Sequence, residues 1–425
     1  MKIVLTSRGS RGDVQPIIEV ASALQSKGHQ TVICVPDLFR DEITRLNLSA
    51  SFYPEDSKEL MIGLGSGLGS TRQALAFFSR SIEEQFQFML EATKDADILV
   101  TSVNEMAAPT IAEIRHIPYF RIGFAPILPG NQPPPLFPWQ NMPGMANSLA
   151  WSAINSMAGV LIRKFINRKR KEFGLKAAPG TNRYFTGRSH TLLAINETLG
   201  PPCDSWYNRY RFNYTGYCYS PPVGGLDQSL LDFIEEGVPP VYIGFGSVTM
   251  KDPNHLAAII KEAVDRSGIR VVLGHGWTGL KPGQQHKQIY SVGDTCHQSL
   301  FPKMAGIVHH GGSGTVHTAA KAGIPQFILP QIIDQYYWGN RIHKLGLGPA
   351  PVIPKRITAK ILMNVLSDFT QKGHFRDKSK ALAKSMEEEN GVENAVKFIT
   401  LPSEYPVISL FSSRKSNRTS NHVAC

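Results

Sequence analysis

Residues 305–340 read AGIVHHGGSGTVHTAAKAGIPQFILPQIIDQYYWGN and hold the side chains best suited to chemistry in this chain. A short apolar run, Ala305 to Val308, leads into His309 and His310 and then into Gly311, Gly312, Ser313, Gly314 and Thr315. Glycines let backbone amides approach a ligand closely, and Val316, Ala319 and Ala320 give the next segment the buried face of a helix. Uncommitted amides at a helix start favour an anion, so the pattern predicts a phosphate site. Zinc chelation by His309, His310 and His317 is a poor reading. Neighbours on a strand point apart, and no acid or thiolate lies close in sequence. On spacing alone, Asp334 before Ile342, Leu345 and Gly346 reads as a helix N-cap followed by the helix end.

A second loop, Gly9-Ser10-Arg11-Gly12-Asp13-Val14-Gln15-Pro16, precedes a helical pattern in which Val14, Ile17, Ile18, Ala21 and Leu24 point inward. An N-cap role for Asp13 is weakened by Pro16, which has no N–H to donate and leaves at most Gln15 as a backbone partner.

Both loops need elements to hold them, and the chain supplies alternating strand and helix signals. Ile3–Thr6, Thr31–Val35, Ile98–Thr101, Tyr119–Ile122 and Thr191–Ile195 read as strands, with helices over Val14–Ser26 and Glu105–Arg115. The alternation restarts at Pro239 with strands Val241–Phe245, Arg270–Leu273, Gln288–Val292, Gly306–His309 and Gln326–Leu329 and a helix over Asn254–Ser267. Repeated βαβ order implies two parallel sheets with ligands in the cleft between them. The aperiodic Pro-, Gly- and Tyr-rich residues 196–238 are the expected connection. A helix is expected over Val392–Ile399, and a disordered tail after it.

Composition sets the outer bounds. The 425 residues exceed a single core. No run reaches the ~18–20 apolar residues of a membrane span and the first residues do not form a secretory signal, so a cytoplasmic chain is expected. Cys34, Cys203, Cys218, Cys296 and Cys425 are scattered without CxxC spacing, which predicts reduced thiols. Much of the net charge of +11 sits between Arg163 and Arg188, where nine Lys and Arg face one acid, Glu172. Ile154, Ala158, Leu161, Ile162, Phe165 and Ile166 recur beside these cations at helical spacing. Residues 154–171 therefore read either as a packed helix with a solvated basic face or as a peripheral contact with an anionic membrane. No reader motif for nucleic acid accompanies the patch. The Pro-rich segment 126–143 with Phe137 and Trp139 suits a stiff apolar wall. Residues 63–70 suit a glycine flap, and Phe77, Phe78, Phe86 and Phe88 are either pocket or ordinary buried helix.

Four stretches, Gly9 to Pro16, Tyr242 to Ser247, His309 to Thr315 and Pro330 to Gln335, together resemble the family 1 glycosyltransferases of GT-B fold, particularly the sterol and antibiotic-aglycone branch. The likeness runs over residues 1–400 in the same order. It implies an α/β chain of two Rossmann-like domains whose parallel sheets face each other across a cleft. Residues 1–220 would bind the acceptor and residues 221–400 the nucleotide sugar, with 401–425 as the tail.

The resemblance also assigns roles. Asp13 would be the general base of an inverting transfer, with Ser10 and Arg11 facing the cleft. His310, Gly312, Ser313, Gly314 and Thr315 would hold the donor's diphosphate, with Ser247 on the nucleotide side. Asp334 and Gln335 would hold the sugar hydroxyls, a role compatible with capping. His297 falls where the sterol branch reads Pro-His-Asp-Trp-Leu-Phe-Pro, but Cys296, Gln298 and Ser299 depart from that pattern and loosen the expectation of a uridine. Trp277 would stack on the base or cover the core. The expected reaction moves a hexose, with UDP-glucose as donor, to a hydroxyl of a lipophilic sterol, terpenoid, polyketide or lipid, without cofactor or metal. Phe137 and Trp139 are the acceptor-side candidates. A sugar-nucleotide epimerase or hydrolase of the same fold, and a non-catalytic binder of lipid or nucleotide sugar, are the competing readings.

Overall fold

Short runs rich in Val, Ile and Leu, buried along most of their length, pair side by side in parallel, as strands covered on both faces do. A computed structural model describes residues 1–54, 71–220, 224–246, 252–274, 287–293, 295–371 and 373–401. The first sheet contains β1 (Lys2–Thr6), β2 (Gln30–Pro36), β3 (Ser49–Tyr53), β4 (Ile98–Ser102), β5 (Tyr119–Gly123), β6 (Ser189–Leu193) and β7 (Phe212–Tyr214), in the order β3-β2-β1-β4-β5-β6-β7. Its helices are α1 (Arg11–Ser26), α2 (Arg40–Arg45), α3 (Thr71–Ala92), α4 (Ala108–Arg115), α5 (Gly144–Glu172) and α6 (Thr181–Thr186).

The second sheet runs β10-β9-β8-β11-β12. Its strands are β8 (Val241–Gly244), β9 (Val271–Gly274), β10 (Ile289–Val292), β11 (Gly306–His309) and β12 (Gln326–Ile328). Around it lie α7 (Gln228–Glu235), α8 (Pro253–Ser267), α9 (His297–Leu300), α10 (Ser313–Lys321), α11 (Gln335–Lys344), α12 (Ala359–Gln371) and α13 (His374–Ser385), followed by α14 (Gly391–Thr400). Strand order reverses at the β1–β4 and β8–β11 pairs, where crevices open beyond the strands' carboxyl ends. The loops after β1 and β11 are the two singled out by sequence.

Several boundaries differ from expectation for local reasons. β3 and β7 carry no apolar alternation long enough to announce them, and β7 lies inside the aperiodic 196–238 segment. α1 starts at Arg11, because Ser10 caps it, so Asp13 sits within the first turn. α4 begins only at Ala108, and the preceding Glu105 is buried and accepts a bond from Thr6 Oγ1 at 2.8 Å. Phe86 is core and Phe88 meets Tyr53 edge-on, so these two aromatics belong to helix packing. Along α5, Ala158, Phe165 and Ile166 pack with Ile82, Phe86 and Ile111, which makes that stripe the packed face of the helix. Among the described residues no helix is long and apolar enough to cross a membrane. Cys34, Cys203, Cys218 and Cys296 are free thiols.

The two sheet units share one apolar seam. Leu193, Ile195 and Leu199 from the first pack with Val316, Trp338 and Ile342 from the second. Arg341 clamps it by donating to the carbonyls of Leu199 (3.1 Å) and Thr198 (2.9 Å). After α13 the chain crosses back, and α14 buries Ala395, Val396, Phe398 and Ile399 among Val14, Ile17 and Leu24 of the first unit. The two crossing segments touch at Gly391, where a Cβ would lie 2.2 Å from the Tyr217 carbonyl oxygen.

Candidate active site

β11 ends at His309, and the chain turns through His310, Gly311 and Gly312 into α10. The first bond inside α10 is Val316 N–H to Gly312 O at 3.0 Å, so the amides of Ser313, Gly314 and Thr315 precede the helical ladder. The strand, glycine turn and helix start therefore lie where the spacing predicts them, with these amides free to receive an anion. A Cβ added to Gly312 would meet the His310 ring at 2.5 Å, which fixes that ring against the turn, and a Cβ on Gly246 would come within 3.0 Å of the same ring. Burial and the neighbouring His297 lower His310 to about 4, so the imidazole is neutral at pH 7. Its Nδ1 is buried without a hydrogen-bond partner among the described residues. A neutral ring with one uncommitted nitrogen can donate to a phosphate oxygen.

His309 and His317 are committed elsewhere. His309 Nδ1 accepts from Gly311 N–H at 3.2 Å, and its Nε2 bonds Gln326 Oε1 at 3.1 Å. His317 Nδ1–H donates to Ser313 O at 2.7 Å while its Nε2 accepts from Asn196 N–H at 3.1 Å. The His309 and His310 rings stand 6.2 Å apart at 87°, so the three histidines do not converge on a shared point.

Across the cleft, Asp13 is half-buried. Its Oδ2 accepts both the backbone N–H and the hydroxyl of Ser10, each at 2.9 Å. Gly9, at φ +116°, makes room for this arrangement, since a Cβ there would fall 2.6 Å from Asp13 Oδ2. Burial raises the carboxyl above its ordinary value, while Ser10 and the Asn104 side chain pull it back. Asn104, just beyond β4, is tied in turn to the Arg8 carbonyl at 3.0 Å. Arg11 is exposed.

Asp334 stands at the N-cap position of α11 but makes no capping bond; its carboxylate instead accepts from Trp338 Nε1 at 3.0 Å. Burial raises it to about 7, and the negative charge of Asp13 adds to the rise. Ile333 before it is left-handed at φ +50°, a strained state for a β-branched residue. Gln335 Oε1 receives the amides of Gln331 (2.8 Å) and Ile332 (3.1 Å), which fixes the turn. His297 stacks on Phe301 with centroids 4.5 Å apart and bonds the Tyr242 hydroxyl at 3.2 Å. Phe137 is half-buried against the exposed Trp139, with rings 5.5 Å apart. Their loop reaches α11, where Asn340 Nδ2 donates to Gln140 O at 3.3 Å. Ser247, Trp277 and the 63–70 flap lie outside the described residues.

Sequence spacing missed Tyr217. Its hydroxyl would lie 2.7 Å from a Cβ on Gly314, its ring stacks on His317 at 4.9 Å, and its phenol is raised chiefly by burial with a contribution from Asp13. It thus packs against the start of α10. Its only sequence signal is an aromatic within the domain connection. Asn104 and Asn196 gave none, because both act from loops remote in sequence.

Residues 3–128 match the model of the glycosyltransferase family 28 N-terminal domain, and residues 287–399 match that of the erythromycin biosynthesis protein CIII-like C-terminal domain. Among curated proteins, the sterol 3-beta-glucosyltransferase of Eremothecium gossypii is 31% identical over 96% of this chain and 35% of its own length. That of Arabidopsis thaliana is 29% identical over 96% of this chain and 67% of its own. The chain thus spans about a third of the length of the Eremothecium gossypii relative. The calicheamicin glycosyltransferase CalG4 superposes with a TM-score of 0.72 at 16% identity, covering 95% of this chain and 99% of that one. VinC, solved with dTDP, gives 0.69 at 17%, covering 95% and 100%. At such identities the likeness speaks for the fold.

Proposed function

Since this chain belongs to the glycosyltransferases of GT-B fold, we propose that it transfers a hexose from a nucleotide-diphosphate sugar, with UDP-glucose the first donor to try, to a hydroxyl of a lipophilic acceptor such as a sterol. The observation that carries this reading is the α10 start, where the Ser313, Gly314 and Thr315 amides precede the helical ladder and the buried His310 Nδ1 has no partner among the described residues. The electrostatic influence of Asp13, from the first sheet unit, on Asp334, from the second, supports roles for both in one site.

In the proposed step the acceptor hydroxyl gives its proton to Asp13 as its oxygen bonds the anomeric carbon. The bond from that carbon to the diphosphate breaks on the opposite face, and the configuration inverts. The departing charge is met by the Ser313, Gly314 and Thr315 amides and by neutral His310, with Arg11 able to add a cation from the first domain. Asp334 and the Gln335 carboxamide nitrogen hold sugar hydroxyls. The first sheet unit and the 126–143 loop take the acceptor side, the second unit the donor side. Sterol-like acceptors reside in membranes, so contact with an anionic membrane belongs to the same reading.

The test is incubation with UDP-glucose and a panel of sterols and phenols, with products read by mass spectrometry. A product heavier by one hexose, lost in Asp13→Ala, is expected. Undiminished transfer by Asp13→Ala would remove the base assignment, and inertness toward every sugar nucleotide and acceptor would leave a binding protein.

A further inference from the structure

α5 has two apolar stripes, and only one is packed. Met145 (85% exposed), Leu149 (71%), Met157 (71%) and Val160 (75%) project to solvent on the other. At about 100° per residue they share one sector of the helix, and Arg163, Lys164, Arg168 and Lys171 continue the same sector toward its C-terminus. All four cations are exposed. Glu83 partly neutralises Arg168 at 3.4 Å, while Lys169 and Arg170 are held by Glu83 and Glu113 on the inner side. Arg163, Lys164 and Lys171 have no carboxylate partner among the described residues. Just before the helix, Leu136 (51%) and Trp139 (65%) are also exposed.

The same sector borders a groove. Between α5 and α6 lies a cavity of about 750 Å³ lined by Asn155, Ser156, Val160, Arg163, Asn182 and Arg183. α6 comes this close because position 159 is glycine, where a Cβ would sit 2.6 Å from Thr181 Oγ1. Two guanidinium groups and several neutral polar groups thus stand at the edge of an apolar row.

We propose that this face docks on an anionic phospholipid bilayer, with Met145, Leu149, Met157 and Val160 entering the headgroup boundary and a lipid phosphate held between Arg163 and Arg183. Isolated exposed apolar side chains are ordinary, but a row of them continued by unpaired cations complements a surface that is apolar within and negative at its rim. Charge argues against a second copy of this chain as the occupant, because a two-fold contact would gather the Arg163, Lys164 and Lys171 of both copies into one interface. The face also lies near the cleft, since the Leu136–Trp139 loop is tied to α11 through Gln140 and Asn340. The proposal deepens the membrane reading above, and its test uses neither donor nor acceptor, so it fails independently of sugar transfer.

The experiment is flotation of the whole chain with phosphatidylcholine vesicles and with vesicles that also contain phosphatidylserine. Binding is expected to the anionic vesicles only, and to fade as salt shortens the Debye length toward about 3 Å. Arg163→Gln with Arg183→Gln should weaken it by more than tenfold, at about fivefold per cation. Met157→Ser with Val160→Ser should weaken it comparably; all four positions are exposed, so the fold is retained. Equal binding to neutral vesicles, no binding at low salt, or indifference to both double variants would overturn the proposal. So would a concentration-dependent dimer that the serine variants disperse.

Discussion

A single oxygen of Asp13 takes two hydrogen bonds from Ser10, one from its backbone N–H and one from its hydroxyl, both at 2.9 Å. The residue before the helix thereby aims the carboxylate and stabilises its charged form, opposing the burial that raises it. Ser10→Ala removes one of these bonds, so the acid limb of kcat/KM should move to higher pH while the neutral-pH plateau persists. Asp13→Asn should lose about 10²–10⁴-fold in kcat with its fold intact. Steady-state pH profiles distinguish the two.

Asp334 gives a prediction of opposite character for stability and rate. Its carboxyl is raised from 3.8 to about 7, so the folded state holds a proton the unfolded chain has released, and stability is lost as pH rises through that window. Asp334→Asn keeps an oxygen for Trp338 Nε1 and cannot ionise. It should melt above the parent at pH 8 and match it near pH 4, while transfer falls at least tenfold.

His317 shows the reverse sign. Burial holds it down at about 4 with both nitrogens committed, so an unfolded chain takes up a proton there below about 6.5. Stability contributed by this site is lost as pH falls from 6.5 toward 4. In denaturant titrations, His317→Phe should show a shallower decline over that range. At pH 8 it should be less stable than the parent by about 1–3 kcal/mol, because the Asn196 amide loses its acceptor.

Gly391→Ala places a methyl against the Tyr217 carbonyl where the two crossing segments meet. Overpacking of this kind should cost about 1–3 kcal/mol, read as a lower denaturation midpoint. Gly373, whose Cβ position is open, is the control and should tolerate alanine.

The strand, turn and helix start around Gly311 to Thr315 were legible because their grammar is local: apolar strand, glycines, small polar residues and a helix lie within one continuous stretch. Asp13 was legible as a residue that fits poorly as an N-cap, though its place was not, since the helix starts at Arg11 and Asp13 becomes the third residue of the first turn. Asp334 shows the limit of spacing: it occupies a cap position, yet spends its carboxylate on an indole one turn along. Tyr217, Asn104 and Asn196 meet their partners only after the sheets assemble, and no periodicity encodes that. On α5 the apolar positions nearest the basic cluster read either as a packed face or as a membrane contact. In the fold Ala158, Phe165 and Ile166 take the packed alternative, and Met145, Leu149, Met157 and Val160, more widely spaced, are an exposed set.

The return of α14 has a consequence for biosynthesis. α1 leaves the ribosome long before α14, but the side chains that cover part of its apolar face belong to Ala395, Val396, Phe398 and Ile399. The first sheet unit therefore waits, with a greasy flank open to water, until almost all of the described chain has been translated. A stalled or prematurely terminated chain would lack the end of its second unit and leave the first as a substrate for chaperones and proteases.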